Sequence, residues 1–409
     1  MKNNIIFGSG ISATGVAEYL CTPKRITIFE KKEMVGGRIK SIKTFFGHTE
    51  AGAQFFTSED ANVMELITRY GYQSRLTEIF LSDFSIYSDK TIFSLKKNSP
   101  ENFDREQEAE LVKLYEIFGN IGKESFKGQE GELLKTNFER WYRKNIGDKT
   151  GFVTNALTRA LTFVTPKDLN AYYGILVIST FFNRTFSLKN GLEPFLEEVL
   201  RKNNCQINFK SKVENIVFDG DIVDNITING RVLKTGNSAI FSCIPSTDLS
   251  EALPPGKLSK TLSKIRYSSC DVLFINTKEK LIQESSGIIF PSNESDLSIV
   301  VEETKKFSQN SKEGFLAVFC PFSRKKSTEF GIIEKLSEII PNIRESILNT
   351  KLFSWNYALP ICDTKLLRLQ NTINTNTVSN FRICGDFMSL PSLDGAIESG
   401  KMAALSKDR

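Results

Sequence analysis

Chemistry-bearing residues start almost at the first position of this chain. In NIIFGSGISATGVAEYL, residues 4–20, the small residues Gly8, Gly10 and Ala13 separate an apolar tetrad from an amphipathic run. Residues 4–7 suit a buried strand. Residues 11–20 place Ile11, Gly15, Val16, Tyr19 and Leu20 on one side at helical spacing. Gly8 allows the chain to turn sharply out of the strand. Gly10 has no Cβ, so a phosphate can approach the backbone, and Ala13 is small enough for helix to pack on strand. The helix N-terminus, at Ser9, Ile11 and Ser12, then aims N–H groups and the positive end of its dipole at the anion. Glu30 stands 22 positions after Gly8, closing a predicted strand over 25–30, with Lys31 beside it. A carboxylate at that distance accepts hydrogen bonds from ribose hydroxyls. This order predicts a dinucleotide with its pyrophosphate on the turn and its ribose on the acid.

Three further stretches have the composition of a cofactor wall. Gly36, Gly37 and Arg38 follow the acidic strand end, and an arginine there can fork onto phosphate oxygens. In EAGAQFF, Gly52, Ala53, Gln54 and Phe55 put small residues ahead of aromatics, so a flat ring can lie against the backbone. Late in the chain a predicted strand ends in Gly385 and Asp386, a carboxylate suited to a polyol, and a helix opens at Gly395 and Ala396 with N–H groups facing outward. Each stretch also reads as ordinary structure: a surface turn, a β-turn, or a capped helix with Asp394 near its start.

These elements need a scaffold. At 409 residues the chain is too long for one comfortable core, and its 40% hydrophobic and 25% charged content is that of a globular protein. The net charge of +5 is small, and the lysine pairs 31–32, 96–97, 305–306 and 325–326 read as solvated surface, with residues 324–326 the one place for an acidic ligand or lipid. No basic stripe for nucleic acid exists. Seven scattered cysteines without a C-x-x-C pair fit a reducing, cytoplasmic setting, and a single histidine, His48, leaves no zinc cluster and no Ser-His-Asp or Cys-His mechanism. No secretory signal is evident, and the apolar run 172–182 is too short to span a bilayer. That run reads as a core helix, with pocket lining or a membrane-touching face as the other readings.

Along the chain, β-α-β at the start gives way to a helical block at about 100–182, with helices over 106–118, 132–146, 151–163 and 167–182. A helix over 192–202 and strands over 206–209, 212–218, 221–228, 231–234 and 238–245 follow, the hairpin turning at Asn229–Gly230. Strand-like runs fill 266–325, a helix covers 331–339, and strand, turn and helix close the chain. The expected class is α/β with an α+β insert. A Rossmann-like domain is assembled from 1–75, 185–265 and 350–409, and a substrate domain with a mixed sheet and the helical block from 76–184 and 266–349.

Taken together, Gly8-Ser9-Gly10, Glu30, Gly36-Gly37-Arg38, AGAQFF, the KVENI strand at 212–216, WNYALP at 355–360 and GD…DGAIESG resemble the flavin-containing amine oxidoreductase superfamily, which includes monoamine oxidases, protoporphyrinogen oxidases, phytoene desaturase-like enzymes and renalases. The resemblance implies FAD. Residues 8–13 would face its pyrophosphate, Glu30 and Lys31 the adenosine, Gly37 and Arg38 the phosphates, and Val213 the adenine. Gly52, Ala53, Gln54 and Phe55 would lie near the isoalloxazine, Gly385 and Asp386 near the ribityl chain, and Gly395 and Ala396 at the N1–C2=O edge. It also implies hydride transfer from a C–H of a small or medium-sized, partly apolar substrate, of the amine or C–C desaturation type, to flavin N5, with dioxygen as an expected acceptor. Trp355, Tyr357, Phe181, Phe182 and Phe186 are expected as pocket walls, Arg184 as a carboxylate anchor or a surface ion pair, and Cys362 as a position for covalent attachment. The second aromatic of an amine sandwich would fall near Ser392, a departure from monoamine oxidases. Two other activities share these features: flavin-dependent isomerisation without net redox, and the non-catalytic binding of GDP-dissociation-inhibitor proteins.

Overall fold

A computed structural model describes residues 4–20, 25–79, 81–95, 102–119, 130–307, 312–322, 325–376 and 378–406. Cys21, Lys96, Lys97 and Arg324 lie outside the described residues. The apolar tetrad Asn4–Phe7 is fully buried at the centre of a five-stranded sheet. Its neighbours are Ile26–Phe29 and Ala239–Ser242, with Cys205–Asn208 and Phe381–Ile383 at the edges. All four pairings are parallel, with Asn4 level with Ile26 and Ala239. A parallel sheet must be covered on both faces, which is why its central strand carries no alternation.

Helix Ile11–Tyr19 leaves the sheet at Gly8, whose φ of +84° only glycine adopts freely. It packs on helix Leu393–Leu405 backbone to backbone. A Cβ on Gly15 would stand 2.2 Å from the Ile397 carbonyl oxygen, and one on Gly400 2.2 Å from that of Ser12. The hairpin Ile222–Ile228 to Arg231–Lys234 turns through Asn229 (φ +48°) and Gly230 (φ +75°), as Asn-Gly requires.

A second, seven-stranded sheet runs in the order Ile347–Trp355, Cys270–Thr277, Gly314–Pro321, Ile299–Glu302, Gly287–Ile289, Phe84–Ser88, Thr91–Ser94. It is antiparallel except where Gly287–Ile289 meets Phe84–Ser88. Alternation sends Val272, Phe274, Ala317 and Phe319 into the core shared with the helical block, and Leu273, Ile275, Leu316 and Val318 against helix Glu329–Ser337. Strand Ile347–Trp355 belongs wholly to this sheet, whereas a boundary at residue 350 groups its second half with the nucleotide segments.

The helical block differs from expectation in two places. The helix read over 132–146 is two, Glu130–Leu133 and Phe138–Asn145, because Asn137 caps the second by accepting from Arg140 N–H at 3.2 Å. The helix read over 167–182 starts later, at Ala171–Ser179, where Asn170 accepts from Tyr173 N–H at 2.9 Å. Among the described residues no helix is long and apolar enough to cross a membrane.

Candidate functional site

The carboxyl ends of the parallel strands open onto one continuous cavity of about 820 Å³. Its lining runs from the first glycine turn to the seven-stranded sheet and helix Ala171–Ser179. Gly8, Gly10, Ile11 and Ser12 line its start, while Ser9 and Ala13 lie behind them. Ser9 holds Glu30 in place: its N–H and hydroxyl donate to Oε2 at 2.9 and 2.7 Å. The Lys32 N–H donates to Oε1 at 2.8 Å. The buried carboxylate thus lines the cavity in a fixed orientation, with Lys31 beside it paired to Asp248, and with Val213 following Ser211, whose N–H donates to the Glu30 carbonyl at 2.8 Å.

The turn at Gly36, Gly37 and Arg38 folds over this start. Gly36 N–H donates to Ser9 carbonyl at 3.0 Å, and Ala53 N–H to Arg38 carbonyl at 3.1 Å. The second bond brings Gly52, Ala53, Gln54 and Phe55 to the cavity wall, where the Trp355 indole N–H donates to Ala51 carbonyl at 2.6 Å. Arg38 forks onto Asp386, Nη1 to Oδ2 at 2.6 Å and Nη2 to Oδ1 at 2.8 Å. Burial opposes the Arg38 charge, and the Asp386 carboxylate outweighs it, holding the guanidinium above its usual range. Two residues expected on different parts of a cofactor, 348 positions apart, therefore clasp each other.

Gly385, Asp386, Gly395 and Ala396 all line the cavity. The helix opens earlier than expected, with Ser392 as its cap. Gly395 N–H donates to the Ser392 hydroxyl at 2.9 Å and Ala396 N–H to the Ser392 carbonyl at 3.1 Å, so neither is an open donor here. Asp394 does not cap its own helix. It accepts from Asn62 N–H at 2.7 Å and so caps helix Ala61–Arg69 from outside. The positive end of the closing helix still faces the cavity through Leu393 and Gly395.

A dinucleotide cofactor fits this lining. A Cβ added to Gly10 would meet nothing closer than the Gly36 carbonyl oxygen at 3.9 Å, so a side chain there would fill the cradle itself. The helix behind it has no side-chain cap, leaving its first N–H groups to an outside acceptor. The volume of 820 Å³ lies within the range of about 300–1,000 Å³ for ligand and cofactor sites. The sequence profile of the flavin containing amine oxidoreductase family matches residues 9–405. The chain belongs to this family.

Among curated proteins no sequence matches it. Its fold is similar to that of a protoporphyrinogen oxidase-like protein from Exiguobacterium sp. 255-15, at 13% identity and TM-score 0.78 over 99% of this chain and 98% of that one. It is also similar to cyclohexylamine oxidase from Brevibacterium oxydans IH-35A (13%, TM-score 0.74, 99% and 98%) and to a fatty acid isomerase from P. acnes that produces CLA (13%, TM-score 0.75, 99% and 98%). The protein is an FAD-dependent oxidoreductase by family.

The flavoenzyme's far wall only partly follows the sequence reading. Trp355, Tyr357 and Phe181 line the cavity. Phe182 does not: it packs in the helical core against Tyr115 and Phe118, at 5.6 and 6.5 Å between ring centres. Phe186 pairs with Phe56 at 6.3 Å behind the wall. Arg184 is a surface residue, its side chain 68% exposed and forked onto Glu78 at 3.0 and 3.1 Å, so it is no anchor for a bound carboxylate. Cys362 is buried away from the lining, accepts from Asn170 Nδ2 at 3.3 Å, and burial pushes its thiol up to about 12, which leaves no thiolate for covalent attachment.

Residues that periodicity did not reveal complete the site. Tyr172, Tyr173, Leu176 and Val177 line it from helix Ala171–Ser179, so the apolar run is both core and pocket wall. The Tyr173 hydroxyl donates to Pro391 carbonyl at 2.7 Å and ties that helix to the closing loop. Two lysine pairs are not simply surface. Lys32 lines the cavity, where burial lowers its ammonium pKa, and lies 5.2 Å from the centre of the Trp355 ring. Lys306 lines it as well. Lys31 lines it beside Lys32, whereas Lys305 is exposed and Lys306 alone of that pair turns inward, a difference that two adjacent identical residues do not signal.

Proposed function

We propose that this flavoenzyme oxidises a C–H bond of a small to medium-sized, largely apolar substrate, of the amine or C–C desaturation type, and that the cavity holds cofactor and substrate end to end. Continuity of the cavity from the Gly8–Gly10 turn to an apolar compartment carries this reading. In it, Gly8, Gly10, Ile11 and Ser12 cradle the pyrophosphate, Glu30 takes the adenosine ribose on its remaining lone pairs, and Val213 borders the adenine. Residues 52–55 and Trp355 border the ring, and the closing helix supports negative charge with its dipole. When bound, FAD supplies a hydride acceptor at N5. The chain supplies position and dryness: Phe163, Phe181, Val272, Ile299, Val301 and Phe319 form walls that exclude water from the reacting C–H. We further propose a division of 1–75, 185–265 and the segment after strand Ile347–Trp355 against 76–184 and 266–355, with the substrate compartment between them, and dioxygen as acceptor.

Isomerisation without net oxidation is the second reading, favoured by the structural likeness to the fatty acid isomerase. Anaerobic mixing of the FAD-loaded protein with amines and with unsaturated acids separates the two. Net oxidation leaves the flavin bleached, whereas isomerisation converts substrate while the absorption of the oxidised flavin returns. A loaded protein that converts none of these substrates and never bleaches refutes the oxidative reading.

A further inference from the structure

The cavity lining includes an ammonium, on Lys306, whose position the proposed reaction does not use. In VEETKKF, Glu303 and Lys306 fall three apart on the 3-10 turn Glu303–Phe307, a spacing that eclipses side chains. Lys306 Nζ donates to Glu303 Oε1 at 2.6 Å. Glu303 is fully buried, and its Oε2 accepts from the Thr49 hydroxyl at 2.5 Å. Thr49 lies two residues before Ala51, whose carbonyl holds the Trp355 indole. The lysine is thus pinned beside the wall expected to border the ring, not waving at the surface. It lines the same cavity as Ile79, Leu81, Phe84, Val301 and Phe319.

The chemistry of that position is selective. An ammonium has three N–H donors, and the described hydrogen bonds engage one. Lys306 pairs with Glu303 and, by its charge, favours the ionised form of the buried Glu50, against burial. Other charged groups of the lining are Glu30, Lys31, Lys32, Arg38, Lys212, Asp248 and Asp386, with Asp394 and Glu398 on the closing helix; Lys31 pairs with Asp248, Arg38 with Asp386, and Asp394 accepts from Asn62 N–H. Glu59 and Asp60 follow strand Phe56–Thr57, and Asp60 accepts from Thr57 N–H at 2.6 Å. A substrate ammonium placed beside Lys306 meets a like charge in low dielectric, whereas a carboxylate gains charge-assisted hydrogen bonds.

We propose that Lys306 anchors the carboxylate of an otherwise apolar substrate, so that the compartment takes long or branched apolar acids in preference to amines. The inference rests on the reading that substrate shares the cavity with FAD. Its test uses the FAD-loaded full chain and three probes of one length, decanoate, decylamine and decanol, with binding followed by calorimetry and by perturbation of the flavin spectrum. Decanoate should bind at least about tenfold more tightly than either other probe. Lys306→Met with Glu303→Gln, which removes both charges of the pair, should weaken decanoate about tenfold or more and leave decylamine unchanged. Lys306→Arg should restore decanoate to within about threefold. Failure of decanoate to bind, parity with decylamine or decanol, or decanoate affinity unchanged in the double variant each overturn the proposal. FAD occupancy is measured first, without probe: a chain that refuses FAD sinks the reading of the cavity, while one that holds FAD and rejects decanoate sinks only the anchor.

Discussion

Replacing Arg38 by methionine tests whether the guanidinium serves Asp386 or the cofactor phosphates. Asp386 is only 6% exposed in its side chain and receives both arms of the Arg38 fork. Without Arg38 that carboxylate is buried and unpaired, a loss of about 3–5 kcal/mol. For 409 residues the unfolding entropy is about 0.9 kcal/mol/K. The cofactor-free Arg38→Met protein should therefore melt ~3–6 °C below the parent. Adding Asp386→Asn removes the stranded charge, so the double variant should recover more than half of that loss. The same pair predicts the order of FAD affinity. An unneutralised Asp386 repels the anionic cofactor, so Arg38→Met should bind FAD most weakly and the double variant better. Melting followed by circular dichroism and titration of FAD fluorescence give both orders. A cofactor-free Arg38→Met protein melting within about 1 °C of the parent would refute the pairing argument. A double variant that binds FAD no better than the single would return Arg38 to the phosphates.

Three further outcomes are expected. Gly15→Ala places a methyl 2.2 Å from the Ile397 carbonyl oxygen, so the two helices must separate by about 1 Å at a cost of roughly 1–3 kcal/mol, read from the urea midpoint; an unchanged midpoint contradicts the contact. Burial pushes the Glu50 carboxyl up to about 7, against the Leu192 N–H and Ser41 hydroxyl that lower it. The folded state then binds more protons than the unfolded one between the usual carboxyl range and pH 7, and stability falls as pH rises through that window. Glu50→Gln lacks this loss, so its stability relative to the parent should rise by roughly 2–4 kcal/mol between pH 4 and pH 8, and a constant offset rules it out. Finally, Trp141→Phe leaves Trp355 as the sole tryptophan; because Trp355 lines the cavity, FAD should quench its emission, and emission indifferent to FAD misplaces the ring.

Legibility in the sequence followed the range of the interactions. That Gly8, Gly10 and Glu30 come together at the cavity was readable because the turn and the strand-end acid are fixed by local geometry within one β-α-β unit. The Asn229–Gly230 hairpin was readable for the same reason. The Arg38–Asp386 clasp was not, since no local pattern couples residues 348 apart. Arg184 and Phe182 illustrate the converse: residue type suggested a pocket, but Arg184 is exposed and paired to Glu78 and Phe182 packs in the helical core. Tyr173 was hidden because its helix is apolar all round, so periodicity marks no inward face. Lys306 was hidden by its neighbour Lys305, which is exposed.

The glycine-to-carbonyl contact between helices Ile11–Tyr19 and Leu393–Leu405 has a consequence for biosynthesis. The first helix emerges from the ribosome early, but the surface it rests on is made some 380 residues later. Closing so long a loop is slow and entropically costly. The packing surface of the first helix is therefore missing through most of translation, and the complete glycine turn with both helices in place forms only once Leu393–Leu405 has been made.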